Sequence, residues 1–203
     1  MTPSPTAQGS AAPGTGLTAS PTATAGSVST SQTAGCNLAK LIAPTRPPET
    51  PGYVELDQAT GLHMTGMVQT IDLAAYCLEV TGLVDHPLSL TLDELRCMPV
   101  VSTNEDLFCP GFFDDKATWS GVPIKYVLEL AGIQKAAREV QLISGDNHIS
   151  YPTLTNAMNE KNFLAYTWNG QPLPVLHGFP LRGAFPGMAG DMWTKWLVKI
   201  QVT

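Results

Sequence analysis

The chain has 203 residues, a formal net charge of −6 at pH 7 and a charged fraction of only 14%. This length suits one domain with a tail, and the acidic balance argues against a nucleic-acid-binding surface, which carries clustered Lys and Arg. The 17 prolines and 18 glycines argue against a long-helix bundle. Because no run of about 18 apolar residues occurs, we expect no membrane-spanning segment in this chain.

The first 50 residues differ in composition from the rest. Of the first 35 residues, 30 are Ser, Thr, Ala, Gly or Pro, which cannot bury enough apolar surface to offset the entropy of ordering. We therefore predict a disordered linker over residues 1–50. Such stalks tether exported domains, which favours an extracytoplasmic location (the periplasm or the outer face of a membrane), although no secretory signal is visible. Residues 33–36 weakly match a lipoprotein cleavage site that would place a lipid on Cys36.

Residues 51–203 carry the periodic signal of a folded domain. Alternation predicts a strand over residues 76–80 that ends at Gly82. The pair Thr91 and Glu94 has the spacing of a capping box and predicts a short helix, after which residues 100–108 look extended. Helical apolar spacing follows Pro123 and ends at Gly132. Further strands are expected at residues 140–144, 163–168 and 196–202, with a turn at Asn169-Gly170.

Short strands outnumber helices in this pattern, and the order does not repeat as strand–helix units. The sequence therefore predicts an α+β fold, mixed and mainly β, with short helices.

The four cysteines are Cys36, Cys77, Cys97 and Cys109. None belongs to a Cys-x-x-Cys pair, so a structural zinc site has little support, whereas the even count allows disulfides. Cys77 within a strand and Cys97 at a helix end are expected to be small buried apolar residues. Cys109 ends an extended segment just before a Pro-Gly turn, which makes it a candidate ligand for a soft metal, or a nucleophile. No sequence pattern links a histidine to it.

Two basic residues, Arg182 and Lys195, follow His177 near the C-terminus and lie among glycines, prolines and aromatic residues. Two interpretations are open. Either their charged groups pair with acids while their stems pack, or they form an anion pocket, in which Arg offers a planar fork and Lys a point charge.

The order and spacing of these motifs resemble the molybdopterin domain of the sulfite oxidase family over roughly residues 60–203. The most specific stretch runs from Leu164 to Trp196 and contains, in order, Leu164-Ala165-Tyr166, Asn169-Gly170-x-Pro172-Leu173, His177-Gly178-x-Pro180-x-Arg182, Pro186-Gly187, Gly190 and Lys195-Trp196. The resemblance implies the fold of that domain for residues 51–203.

The resemblance also implies a molybdenum–molybdopterin cofactor, its metal held by the cofactor's dithiolene and by one protein cysteine. Cys109 matches that ligand by its position. The segment from His177 to Arg182 matches the part that binds the pterin phosphate, with Thr194 and Lys195 closing the site.

His63 falls where family members place a residue that contacts cofactor or substrate. The chain departs from sulfite oxidases after Cys109, where Pro110–Asp115 replaces the arginines that suit an oxyanion. Two aromatic residues and two acids beside the metal would repel a small dianion.

The resemblance implies a molybdenum-cofactor oxidoreductase that catalyses two-electron oxygen-atom transfer on a small-molecule substrate. Electrons would be exchanged with a cytochrome or a quinone-linked membrane protein. A rival hypothesis is a non-catalytic, stalk-tethered binding module with a degenerate copy of the fold. A third is a disulfide-stapled adhesion domain in which Cys109 pairs with Cys97 or Cys77.

Overall fold

The structure is a computed structural model that describes residues 36–203. It contains twelve strands and three short helices, together with 3₁₀ turns at Val175–His177 and Gly190–Met192. The strands are β1 (Leu56–Asp57), β2 (Leu62–His63), β3 (Leu78–Gly82), β4 (Leu88–Leu90), β5 (Val101–Cys109), β6 (Phe113–Pro123), β7 (Val140–Ser144), β8 (Ile149–Ser150), β9 (Phe163–Trp168), β10 (Gln171–Pro172), β11 (Arg182–Ala184) and β12 (Leu197–Val202). The helices are α1 (Leu92–Arg96), α2 (Ile124–Ala131) and α3 (Leu154–Ala157).

Two five-stranded sheets and a small hairpin make up the domain. One sheet has the order β10-β9-β6-β5, with β11 also paired to β9, and all its pairs are antiparallel. The other has the order β4-β3-β12-β7-β8, in which only β3 and β12 run parallel. The hairpin is β1–β2. The expected mixed, mainly-β fold with short helices is confirmed.

Local sequence signals placed several elements correctly. The Thr91 hydroxyl accepts a hydrogen bond from the Glu94 backbone N–H, and the Glu94 side chain accepts one from the Thr91 N–H, so the capping box opens α1. Helix α2 buries its apolar stripe and ends at Gly132. The β9–β10 hairpin turns at Asn169 and Gly170, whose φ angles of 47° and 75° match the left-handed turn residues that a two-residue hairpin requires.

One hydrophobic core joins the two sheets and the helices. It includes the fully buried side chains of Leu78, Trp119, Leu142, Phe163 and Ile200. Strand β6 crosses β9 so closely at Gly121 that a Cβ there would lie 1.8 Å from the Leu164 carbonyl oxygen. A glycine is therefore required at the point where these two neighbouring strands approach each other.

The cysteines depart from expectation. Cys97 is not an isolated buried thiol but forms a disulfide with Cys36. This bond occupies the sulfur that a lipid anchor would need, so the structure contradicts the lipoprotein interpretation. Cys77 is half-buried just before β3 rather than within a strand.

Residues 36–50 form neither helix nor strand, and their start is fastened to the end of α1 by this disulfide. The rest of the predicted linker, residues 1–35, lies outside the described residues. Within residues 36–203, no helix is long and apolar enough to cross a membrane.

Candidate active site

A cavity of about 300 Å³ opens between the β1–β2 hairpin, the tip of the β5–β6 hairpin and the segments that follow α3. It collects residues that lie far apart in the sequence. Five of the six predicted site residues line it: His63, Cys109, His177, Arg182 and Lys195.

Cys109 is the last residue of β5, directly opposite Phe113 in the ladder, and its thiol is free. The tight turn after it is closed by the Phe112 N–H, which donates to the Cys109 carbonyl. Gly190 packs against this corner, since a Cβ there would lie 3.5 Å from the Cys109 Cβ. Burial, followed by the negative charges of Asp191 and Asp115, raises the pKa of the Cys109 thiol. A free Cys109 argues against the adhesion domain, which needed it in a disulfide.

Arg182 begins β11 and is only 1% exposed. Its guanidinium carbon lies 4.8 Å from the centroid of the Trp119 ring, and its Nη atoms donate to the carbonyls of His177 and Trp193 at 3.1 and 3.3 Å. Its Nε is buried without a hydrogen-bond partner among the described residues. Burial lowers the pKa of Arg182 to about 9, because no ion pair within residues 36–203 offsets the lost hydration.

Lys195 is the second buried cation of the cavity wall. Its Nζ donates to the carbonyl of Thr65 at 3.1 Å and to that of Leu176 at 3.4 Å, and it lies 5.5 Å from the centroid of the Trp196 ring. Burial and then the charge of Arg182 hold the pKa of Lys195 well below its usual range. Two cations buried side by side without a carboxylate partner fit an anionic ligand. Neither Arg182 nor Lys195 forms an ion pair with an acid among residues 36–203, which favours the anion-pocket interpretation over the packing one.

His177 holds the cavity wall to the β1–β2 hairpin. Its Nε2 lies 2.9 Å from Asp57 Oδ2 and 3.1 Å from the Thr60 hydroxyl. Burial, and then the charge of Lys195, lowers the pKa of His177 to about 3, so the neutral ring donates Nε2–H to the carboxylate. Burial alone would raise the pKa of Asp57, but the hydrogen bonds from His177, Thr60 and the Ala59 N–H outweigh it and lower that pKa.

His63 is tied to a carboxylate that faces the cavity. Asp115 Oδ1 lies 2.6 Å from His63 Nδ1, and Asp115 Oδ2 accepts the His63 backbone N–H at 2.8 Å. The neighbouring Asp114 is exposed on the opposite face of β6. Only one of the two acids expected beside the metal therefore reaches the cavity, and it is engaged by His63.

Thr194 is the one predicted site residue outside the cavity wall. Its buried hydroxyl lies 2.7 Å from that of Ser150, and its cofactor role stays a prediction. Sequence reasoning missed Asp57, because nothing local connects it with a histidine 120 positions away. It noted the aromatic residues around the cations but assigned them no role: Trp119 and Trp193 lie beside the Arg182 guanidinium, and Trp196 lies beside Lys195 Nζ.

Comparison with known proteins agrees with this geometry. Residues 63–203 match the family described as "Oxidoreductase molybdopterin binding domain". The chain belongs to this family. It is 34% identical over 143 residues to the oxidoreductase YuiH of Bacillus subtilis, a match that covers 70% of this chain and 72% of YuiH. Sulfite oxidase of Arabidopsis thaliana is 31% identical over 68% of this chain and 44% of its own length.

The fold of the family is also found in the crystal structure of the sulfane dehydrogenase SoxCD from Paracoccus pantotrophus. The two structures superpose with a TM-score of 0.63 at 24% identity, over 66% of this chain and 40% of that one. The predicted resemblance to the sulfite oxidase family is confirmed, and the chain is an oxidoreductase domain of the molybdopterin-binding type rather than a binding module. It spans less than half of the sulfite oxidase and SoxCD chains.

Proposed function

We propose that this domain binds one molybdenum–molybdopterin cofactor and transfers an oxygen atom between water and a small substrate. The observation that carries the proposal is the presence, in one cavity, of the free Cys109 thiol and of two buried cations, Arg182 and Lys195, that form no ion pair within residues 36–203.

The residues present fit such a group. A thiolate is a suitable donor for a soft metal, and Cys109 would supply it from the β5 end. The buried Nε of Arg182 lacks a partner, and an anionic phosphate provides the acceptor oxygens that it needs. Gly178 allows the turn after His177 to contact Lys195, because a Cβ there would lie 3.2 Å from the Lys195 Cα.

When bound, the cofactor supplies the two-electron oxygen-atom chemistry, and the protein binds and orients it. Cys109 must lose its proton to act as a ligand, so metal binding releases a proton from the thiol. Arg182 and Lys195, both buried, would neutralise the charge of the phosphate. The indole rings of Trp119 and Trp193 hold the Arg182 guanidinium in place.

We further propose that electrons are exchanged with a separate cytochrome or quinone-linked protein. Phe108 and Phe112 support this proposal, since they are 51% and 66% exposed and lie one and three residues from Cys109. They offer an apolar contact at the hairpin tip, a short distance along the chain from the ligand.

An extracytoplasmic location is part of the same proposal. The Cys36–Cys97 disulfide supports it, because disulfides persist mainly in oxidising compartments.

Metal and pterin analysis of the purified protein tests the proposal. We expect one molybdenum and one pterin per chain in the wild type. C109S is expected to lose turnover and to retain less molybdenum while its melting temperature stays close to that of the wild type, because a loop-edge thiol contributes little packing.

C77S is the matched control, since Cys77 is the other free, half-buried cysteine and lies outside the cavity. Wild-type protein without molybdenum, or normal turnover in C109S, would contradict the proposal.

A further inference from the structure

Two Asp–His pairs lie at the cavity, which His63, Asp115 and His177 line, and the β1–β2 hairpin contributes one member of each pair. Asp57 on β1 binds His177, and His63 on β2 binds Asp115 of β6. The pairs look alike but leave their imidazoles in different situations.

The His177 ring is enclosed, with a side-chain exposure of 1%, and its Nε2 is committed to Asp57. The His63 side chain is 26% exposed. Its Nε2 has no hydrogen-bond partner among residues 36–203, yet it is not among the buried, unpaired polar atoms of that region. Of the two rings, that of His63 is therefore the more accessible, and its Nε2 is the nitrogen that Asp115 does not engage.

Asp115 fixes which nitrogen of His63 carries the proton. Its Oδ2 accepts the backbone N–H of His63 and its Oδ1 meets Nδ1 at 2.6 Å. A carboxylate can only accept, so Nδ1 donates, and the neutral ring keeps its lone pair on Nε2. The Phe113 ring stacks on the imidazole at 4.7 Å with an interplanar angle of 6°. Ring plane and tautomer are therefore both set.

We propose that His63 Nε2 exchanges a proton with the oxygen atom that substrate gains or loses, and that Asp115 is its positioning residue. This inference rests on the proposed function. Removing an oxygen atom from a substrate consumes two electrons and two protons and releases water. The electrons come from the redox partner through the cofactor, one proton comes from Nε2–H of protonated His63, and the other comes from solvent.

When the substrate gains an oxygen atom, the same proton and electron transfers occur in the opposite direction. Neutral His63 accepts at Nε2 one of the two protons that water gives up, solvent accepts the other, and the electrons leave to the partner. Because His63 is partly exposed, solvent can restore its protonation state after each turnover.

The cavity contains other charged and polar groups besides His63 and Asp115. Asp146 is engaged by the backbone N–H groups of Met67 and His148 at 2.9 and 3.1 Å, and the His148 ring contacts the Asp191 carbonyl. Cys109, Tyr53 and the carboxylate of Asp191 also line the cavity, with the cations Arg182 and Lys195. Within residues 36–203, none of these groups forms a hydrogen bond with His63, whose side-chain partner is Asp115.

The first test reads the tautomer and needs no turnover. In ¹⁵N-histidine spectra of the purified protein, we expect neutral wild-type His63 to carry its proton on Nδ1. In D115N, the amide oxygen can still accept the His63 backbone N–H, so the NH₂ group faces Nδ1 and the proton should move to Nε2. A wild-type ring with its proton on Nε2 would overturn the assignment of Asp115.

The second test uses H63N, whose side-chain NH₂ can take the place of Nδ1–H toward Asp115 but cannot carry a proton. We expect unchanged molybdenum content and melting temperature, a kcat about 10²-fold lower with little change in KM, and partial rescue of H63A by added imidazole. H86N is the control, since His86 is exposed and outside the cavity.

Wild-type kcat in H63N would overturn the proposal, and so would a loss of molybdenum in H63N, which would assign His63 to cofactor binding. Failure of the proposed function has a different signature. Wild-type protein would then lack molybdenum, while the tautomer measurement would still report on His63 and Asp115.

Discussion

Arg182 is the residue on which the proposed phosphate binding depends most. A buried cation without an ion-pair partner costs several kcal/mol, and here the cost is offset only in part by the charge of Asp115, the Trp119 ring and two backbone carbonyls. The folded domain therefore keeps an arrangement that becomes favourable when an anion is present. This is the behaviour expected of a site whose ligand is part of the working protein.

Two substitutions of Arg182 distinguish the effect of its charge from the effect of its side-chain volume. We expect R182M to bind cofactor one to two decades more weakly, because a charge-assisted hydrogen bond contributes about 1.5–3 kcal/mol. R182A should bind as weakly, and cofactor-free R182A should be less stable than cofactor-free R182M by about 2–5 kcal/mol, since only R182A leaves a cavity beside Trp119. Denaturant unfolding of cofactor-free protein and molybdenum content per chain measure the two effects. Retention of cofactor by R182M at the wild-type level would make Arg182 a packing residue.

The predictable part of the site consists of residues with local signals. Cys109 precedes a Pro-Gly turn, and Arg182 lies in a dense run of glycine, proline and aromatic residues, so both were identified from the sequence. Their partners were not. Asp115 was identified only as an acid that would repel an anion. Its hydrogen bonds to a histidine 52 positions earlier could not be predicted, because they depend on how β2 docks against β6.

At the level of elements, the β1–β2 hairpin is the piece that closes the cavity. Its strands have two residues each, and an isolated hairpin of that size is not stable in water. Burial of Leu62 and Met64 and the two Asp–His pairs hold it against the sheets. Its strands are too short for an alternating pattern, which is why no sequence signal revealed them, whereas α1, α2 and β9–β10 have caps or turn residues of their own.

The pair that fastens this hairpin predicts how stability depends on pH. An unfolded histidine titrates with a pKa near 6.5, but the folded state keeps the pKa of His177 at about 3. Between these values the unfolded chain binds a proton that the folded chain does not, so the free energy of unfolding falls as the pH falls through this window. The slope from this one residue is at most about 1.4 kcal/mol per pH unit. The lowered pKa of Asp57 adds a loss at still lower pH, where its carboxylate becomes protonated.

Urea unfolding of cofactor-free wild type and H177Q between pH 7 and pH 4 measures this contribution. H177Q keeps a side-chain donor for Asp57 and has no titrating ring, and its other carboxylates are those of the wild type. We therefore expect a shallower decline in H177Q. Equal slopes in the two proteins would show that His177 becomes protonated in the folded state as readily as in the unfolded one.

For the molecule as a whole, the sequence indicated where several strands lie but not how the strands pair into sheets. Five of the twelve strands (β3, β5, β7, β9 and β12) were predicted near their observed positions, whereas the long strand β6 was not. The parallel contact of β3 with β12 joins segments more than 100 residues apart. The same long-range assembly decides the electrostatics of the cavity. It leaves Asp114 exposed to solvent and places Asp146 and Asp191 in the cavity wall. No local pattern had placed these two acids near Cys109.

This distribution of charge bears on the choice of substrate. In our proposal the two buried cations, Arg182 and Lys195, bind the phosphate of the cofactor. Asp115, Asp146 and Asp191 line other parts of the same cavity. A dianion beside Cys109 would meet these charges without an arginine fork to bind it. A neutral oxygen-atom donor or acceptor, such as a sulfoxide, would not be repelled.

We therefore expect sulfite to be a poor substrate compared with sulfoxides or N-oxides in steady-state kinetics with an artificial electron carrier. One unfavourable carboxylate at several ångströms costs on the order of 1 kcal/mol, so D191N should raise kcat/KM for sulfite several-fold and leave that for a neutral sulfoxide unchanged. D114N is the matched control, because Asp114 faces away from the cavity and its charge is exposed to solvent. Sulfite turnover by the wild type that exceeds the turnover of every sulfoxide and N-oxide tested would show that the cavity acids do not select the substrate.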